Sequence, residues 1–281
     1  MIDELKDVLE LATGTTKLIK EILVLKPNNK NSDESKLILA SKKHSAQIGS
    51  SGDYAKIGSS GDSAQIGSSG DSAQIGSSGD YAQIGSSGDS AKIESIGSLA
   101  VVSGIGYKSI TKAKKGSWIT LAEYKKDEND NWVVDFVKTE QVDGERIKED
   151  TFYTLYNHEF TEVQIIDGIK TIILNRKKNV IKGLSLNGLN PCFVVEKDGI
   201  FSHGGTIKEA KDSLLYKISN RDTSMYKDYM LNTKVKFEEA VKMYRCITGA
   251  CEAGTRYFVE NVLTNKKKSY TVQEIIDATQ G

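Results

Sequence analysis

The chain has 281 residues, 38 Lys+Arg against 38 Asp+Glu, and 38% apolar residues, a length and balance that suit one to three domains with substantial cores. No run of 18 uncharged apolar residues occurs, which excludes a membrane-spanning helix. The odd count of three Cys (Cys192, Cys246, Cys251) argues against a disulfide scaffold and for a reducing compartment.

The chain starts MIDELKDVLE, acidic where a secretion signal needs a basic region. Ile2, Leu5, Val8 and Leu9, then Leu18, Ile22 and Leu25, fall on one stripe, which predicts a helix over 2–25. Pro27 and the run NNKNSDES break it, so residues 1–36 read as helix plus linker. Such a helix either caps the neighbouring segment or mediates oligomerisation.

From Ala46 the chain reads AQIGSSGDY, AKIGSSGDS, AQIGSSGDS, AQIGSSGDY, AQIGSSGDS, AKIESIGSL and AVVSGIGYK, a nine-residue period. With the looser nonad at 37–45 this gives eight nonads over 37–108. A flexible Gly/Ser linker has no reason to keep Ala46, Ala55, Ala64, Ala73, Ala82 and Ala91 in step with the Ile two places on. Ala-x-Ile alternation puts Ala and Ile on one face of a short strand. The glycines of Gly-Ser-Ser-Gly-Asp are then free to take positive φ in a turn. Residues 37–116 thus predict a parallel β-roll or β-helix solenoid with two nonads per coil, four coils rising about 4.8 Å each. The Asp ladder (Asp53, Asp62, Asp71, Asp80, Asp89) admits three readings: caps of its own turns, calcium ligands, or an acidic edge that mimics nucleic-acid phosphate. A calcium roll uses Gly-Gly-x-Gly-x-Asp, a spacing that is missing.

Residues 117–168 predict an antiparallel β extension closing the solenoid, with strands at 117–124 (SWITLAEY), 131–142 (NWVVDFVKTEQV), 151–156 and 160–166. Residues 169–281 predict a basic α+β domain. It has strands near 171–174 and 193–196, an Asp198-Gly199 turn, and helices at about 206–219, 236–247, 252–262 and from Thr271 on, two of them opened by Thr-x-x-Glu capping signals. The fold class is therefore mainly β with an α+β portion.

Chemistry-bearing candidates are few. Cys251, in TGACEAGT, stands where a helix is predicted to begin and could be held as thiolate there. His203 could serve it as a base if the two met, the minimum for Cys-dependent hydrolase or transferase chemistry. Gly204-Gly205 before a helix is a weak anion-binding signal. No His pair has metal-ligand spacing, so neither a metal nor a cofactor is expected. Charge is partitioned: residues 1–168 carry 19 basic against 26 acidic side chains, net −7, and residues 169–281 carry 19 against 12, net +7. Arg176, Lys177 and Lys178, and Lys266, Lys267 and Lys268, form basic clusters able to contact phosphate or an acidic protein. Overall neutrality thus excludes neither a nucleic-acid partner nor self-association.

The nonads, the SWITLAEY segment with VDGERIKEDTFYTL, and the tail holding HGGTIKEA and YRCITGACEAGTRYFVEN resemble proteins encoded in phages and prophages of low-GC bacteria. The repeat is also distantly similar to the β-roll heads of trimeric adhesins. The resemblance to phage and prophage proteins implies a phage-encoded, non-enzymatic binding or inhibitory protein. It would occlude a host protein complex such as a defence nuclease, as an anti-defence or anti-CRISPR inhibitor does, in the host cytoplasm and away from membrane. The alternatives are a trimeric virion structural or adhesion protein and the Cys251-dependent enzyme.

Overall fold

A computed structural model describes residues 23–24, 38–219, 222–263 and 267–279. The chain divides between Glu162 and Val163 into two compact units. It is mainly β, 43% strand, with a parallel β-solenoid of about five turns and a few helices, several of them C-terminal.

The solenoid is two parallel sheets. One contains β2 (Ile38–Ser41), β4 (Lys56–Ser59), β6 (Gln74–Ser77), β8 (Lys92–Ser95) and β10 (Ile110–Lys112). The other contains β3 (Gln47–Ser50), β5 (Gln65–Ser68), β7 (Gln83–Ser86), β9 (Val101–Gly104) and the first part of β11 (Trp118–Lys126). Like residues stack 18 apart: Ile57 on Ile75 on Ile93, and Ile48 on Ile66 on Ile84. Ala, Ile and Ser of each nonad point inward, while Gln or Lys and the first Gly point out, as the two-residue alternation requires. Each Ile taken wholly out of water contributes about 1.5–3 kcal/mol, and a single contiguous core runs through the stack from Leu39 to Leu155.

Three sequence expectations change. The helix over 2–25 lies almost wholly outside the described residues, and Leu23–Val24 is instead a strand, β1, antiparallel to β2. The stack has five coils rather than four. In the fifth, Ser109 and Thr111 stand where Ala and Ile would repeat, and the step from Val101 to Trp118 is 17 residues, so the nonad signal is lost while the pairing continues. The turn glycines do not take positive φ. That conformation falls on the ninth residue, Ser45, Tyr54, Ser63, Ser72, Tyr81, Ser90, Leu99 and Lys108, at φ 55–58°. The second Gly of each turn is needed for another reason. A Cβ on Gly70 would sit 2.1 Å from the Gly52 carbonyl oxygen of the coil before, and the same clash recurs at Gly79, Gly88, Gly97 and Gly106.

The predicted extension shares the solenoid's sheets. β12 (Trp132–Gln141) lies antiparallel on β11, and β13 (Phe152–Tyr156) antiparallel on β10. In the second unit, the part of β14 (Glu159–Ile166) from Val163 onward, then β15 (Ile169–Lys177), β16 (Val180–Ser185), β17 (Asn190–Lys197) and β18 (Ile200–Gly204), form an antiparallel meander. Sequence patterning misses β16 and β18. Asp167-Gly168 and Asp198-Gly199 make tight turns with positive φ at both residues. α1 (Ile207–Ile218) starts at Thr206, whose hydroxyl accepts from the Glu209 amide at 3.2 Å. α2 (Phe237–Thr248) ends on Gly249 at φ 71°. The helix expected near 252–262 divides into α3 (Glu252–Tyr257) and a π-helical segment, Phe258–Val262. β19 (Lys234–Lys236) pairs with β20 (Ser269–Thr271), which leads into α4 (Val272–Thr279). There Thr271 and Glu274 cap each other as the sequence predicts.

The two glycines of each nonad, one in the strand and one in the turn, separate experimentally. Gly70→Ala forces adjacent coils apart and is expected to cost about 1–3 kcal/mol. Gly67→Ala, whose Cβ meets nothing within 4 Å, stays within about 0.5 kcal/mol. Thermal unfolding of the two variants measures the contrast.

Candidate functional site

The Asp ladder is a device of coil stacking. Asp53 Oδ1 accepts from the Asp71 amide at 2.8 Å, Asp62 from Asp80 at 3.0 Å, and Asp71 from Asp89 at 2.8 Å. Asp80 accepts from Ser98 at 2.7 Å and Asp89 from Tyr107 at 2.9 Å. Each side chain therefore caps the turn of the next coil rather than its own. The left-handed residue beside it completes the link: the Tyr54 amide donates to the Asp71 carbonyl at 2.7 Å and the Ser63 amide to Asp80 at 2.7 Å. The 18-residue step puts Asp53, Asp71 and Asp89 in one file and Asp62 and Asp80 in another.

The basic clusters stay on the surface. Arg176, Lys177 and Lys178 are exposed at the β15–β16 turn. Lys267 and Lys268 are exposed, with Lys267 paired to Glu274 at 2.8 Å, and Lys266 lies outside the described residues. Gly204 and Gly205 are occupied locally: a Cβ on Gly204 would lie 2.3 Å from the Ala210 amide nitrogen, and the Gly205 amide donates to Glu209 at 2.9 Å.

The second unit does bring Cys251 and His203 together, and adds Asp167. Ligand-capable atoms of the three lie within 4.8 Å of one another. Asp167 comes from the β14–β15 turn, His203 from β18, and Cys251 from the cap position before α3, where its sulfur accepts from the Gly254 amide at 3.2 Å. Lys217 of α1 pairs with Asp167 and also donates to the Phe201 carbonyl at 3.1 Å. His203 Nε2 is 2.7 Å from the hydroxyl of fully buried Thr171, and its Nδ1 has no hydrogen-bond partner. Asp167, Thr171 and Lys217 escape sequence reasoning; the Asp167-Gly168 turn dipeptide is the one local signal.

The electrostatics run against nucleophilic chemistry. Cys251 is fully buried, and burial, with Asp167 adding to it, pushes its thiol up against the opposing amides of Gly254 and His203. Burial lowers His203 to about 4, opposed by Asp167 and assisted by Lys217. Burial thus favours the neutral thiol and the neutral imidazole, and Cys251 and His203 are both closed off from solvent.

A third feature was not singled out by sequence. β12 is an edge strand of the second solenoid sheet, at the end opposite β3. Register places Val101 beside Trp118, Ala122 opposite Val137 and Tyr124 opposite Val134, on the face turned away from Ile119 and Leu121. Trp132 stacks on Tyr107 at 4.3 Å, and Lys126 covers the Trp132 ring at 5.5 Å. Trp118, Trp132, Val101, Val134 and Val137 are each 45–52% exposed.

Comparison with protein-family models, curated proteins and solved structures finds no match. Among the described residues, no helix is long and apolar enough to cross a membrane.

Two outcomes test these assignments. Asp71→Asn keeps an acceptor for the Asp89 amide and relieves charge repulsion along the file, so its unfolding free energy is expected within about 0.5 kcal/mol of the parent, whereas Asp71→Ala loses about 1 kcal/mol. Urea unfolding with and without calcium measures both; equal damage from Asn and Ala would contradict the stacking role. For the metal-free chain, His203 titrates near 4 when folded and near 6.5 when unfolded. Between those values the unfolded state binds more protons, so stability is full above pH 6.5 and falls by about 3 kcal/mol toward pH 4. His203→Gln should flatten that slope in pH-dependent unfolding.

Proposed function

We propose that this chain is a non-enzymatic binding protein, in which the rigid solenoid presents an apolar, aromatic surface to a partner protein. The observation that carries this reading is the exposed face of β11–β12. It sets half-exposed Trp132, Val134 and Val137 of the edge strand β12 beside Ala122 and Tyr124 of β11, with the exposed Val101–Trp118 pair beyond the Thr120–Thr139 pair. Exposed aromatic and apolar side chains of this kind are what interface cores favour. The resemblance to phage and prophage proteins supports a host protein complex as that partner and steric occlusion as the mechanism. Burial and neutrality of Cys251 and His203 weigh against the enzyme alternative.

The expected result is stoichiometric capture of a partner from low-GC bacterial lysate by the full chain. A Trp118→Ser, Val137→Ser variant should reduce capture at least tenfold with its thermal midpoint unchanged. Charge reversal of Arg176, Lys177 and Lys178 leaves capture intact if the aromatic face is the contact. Recovery of the protein from purified virions as a trimer, with no host partner, would favour the structural alternative instead.

A further inference from the structure

We propose that Asp167, His203 and Cys251 form a buried binding site for a single divalent metal ion of zinc's class. The donors are a carboxylate oxygen, an imidazole nitrogen and a sulfur, a mixed set that suits zinc better than the all-oxygen cations. Their ligand atoms already lie within 4.8 Å of one another. A tetrahedral zinc ion with bonds of about 2.0–2.3 Å holds its ligands about 3.5 Å apart, so a contraction of no more than about 1.3 Å seats it.

A second observation points to the same place. His203 is 2% exposed, and its Nδ1 is buried without a hydrogen-bond partner. Its other nitrogen, Nε2, is fixed 2.7 Å from the Thr171 hydroxyl. That is how proteins orient a metal-binding imidazole: one nitrogen held by an outer partner, the other left bare for the ion. An unpaired buried nitrogen is costly in a metal-free core, and coordination satisfies it. Asp167 is held on one oxygen and weakly engaged on the other. Lys217 holds Oδ1, while Oδ2 faces the Cys251 amide at a long 3.4 Å.

Binding displaces the Cys251 thiol proton to solvent, so the ion, the thiolate and the carboxylate together carry no net charge beside the positive Lys217. Cys251 is fully buried and His203 nearly so, and with three protein donors the fourth tetrahedral position would be taken by a water molecule. The ion would tie the β14–β15 turn, β18 and the start of α3 together, segments whose ligands stand 36 and 48 residues apart in the chain. This inference does not depend on the binding reading above.

The test is cobalt substitution in the full chain after chelator treatment and dialysis. One equivalent of Co²⁺ is expected to give the thiolate-to-cobalt charge-transfer band in the near ultraviolet and the intense visible bands of a four-coordinate ion, both bleached by Zn²⁺. Zn²⁺ should also raise the thermal midpoint of the parent. In Cys251→Ser the charge-transfer band and the midpoint shift should disappear. A parent chain with no charge-transfer band, or a band that survives in Cys251→Ser, overturns the site. If Cys251→Ser does not fold, the double variant Cys192→Ser, Cys246→Ser decides: an unchanged band assigns it to Cys251, and a lost band refutes the proposal.

Discussion

The hydrogen-bonded contact between one turn and the turn one coil later is what the solenoid rests on. Each nonad has only Ala, Ile and a small Ser to bury, too little to hold a strand of four residues alone. The coils must therefore come into register and stay close. The Asp carboxylate reaches the amide of the next coil, and the residue after Asp turns left-handed so that its own amide meets the carbonyl of that coil. The glycine before Asp has no side chain to keep the two turns apart. A left-handed Ser or Tyr costs about 1–2 kcal/mol, and the inter-coil hydrogen bonds, about 1 kcal/mol each, offset it at every corner.

Once the corners fix the rise, the arrangement of the faces is set. Inward Ile ladders fill the space between the sheets, and the outward row runs from Gln47, Gln65 and Gln83 to Val101 and Trp118. The polar part of that row needs no partner; Gln47 even bonds to Gln65 at 3.4 Å. Its apolar end at Val101 and Trp118, and the Val134, Val137 and Trp132 side chains farther along β12, are the parts for which water is a poor neighbour. A rigid scaffold that ends in such a surface loses little conformational entropy when the surface is covered, which suits binding.

The second unit uses different physics. Its buried polar cluster is organised by an ion pair, a hydroxyl and backbone amides, and low local dielectric makes every unpaired atom there expensive. Burial pushes the Cys251 thiol up and His203 down, so it favours the neutral form of each. The same burial makes the bare His203 Nδ1 informative, because an unsatisfied nitrogen in that setting points to a missing donor or ion.

Much of this was legible in the chain itself. The nine-residue period, the Ala-x-Ile alternation and the Thr-x-x-Glu caps are local patterns, and strands, coil pairing and most helices follow from them. The fifth coil was hidden because Ser109 and Thr111 replace the repeat's apolar residues while backbone pairing, which needs no particular side chain, carries on. The duty of the turn glycine was misread for a related reason: positive φ is a property of one residue, whereas the approach of Gly70 to Gly52 exists only between coils. The same distinction governs the sites. Sequence alone supplied Cys251, His203, the Asp ladder and the basic clusters as candidates. Only the tertiary structure gave the Asp residues a partner 18 positions away, joined Asp167 to His203 and Cys251, and left Val101, Trp118, Val134 and Val137 exposed on one sheet. Periodicity encodes contacts that repeat at a fixed separation, and contacts at irregular separations are decided by how the chain packs.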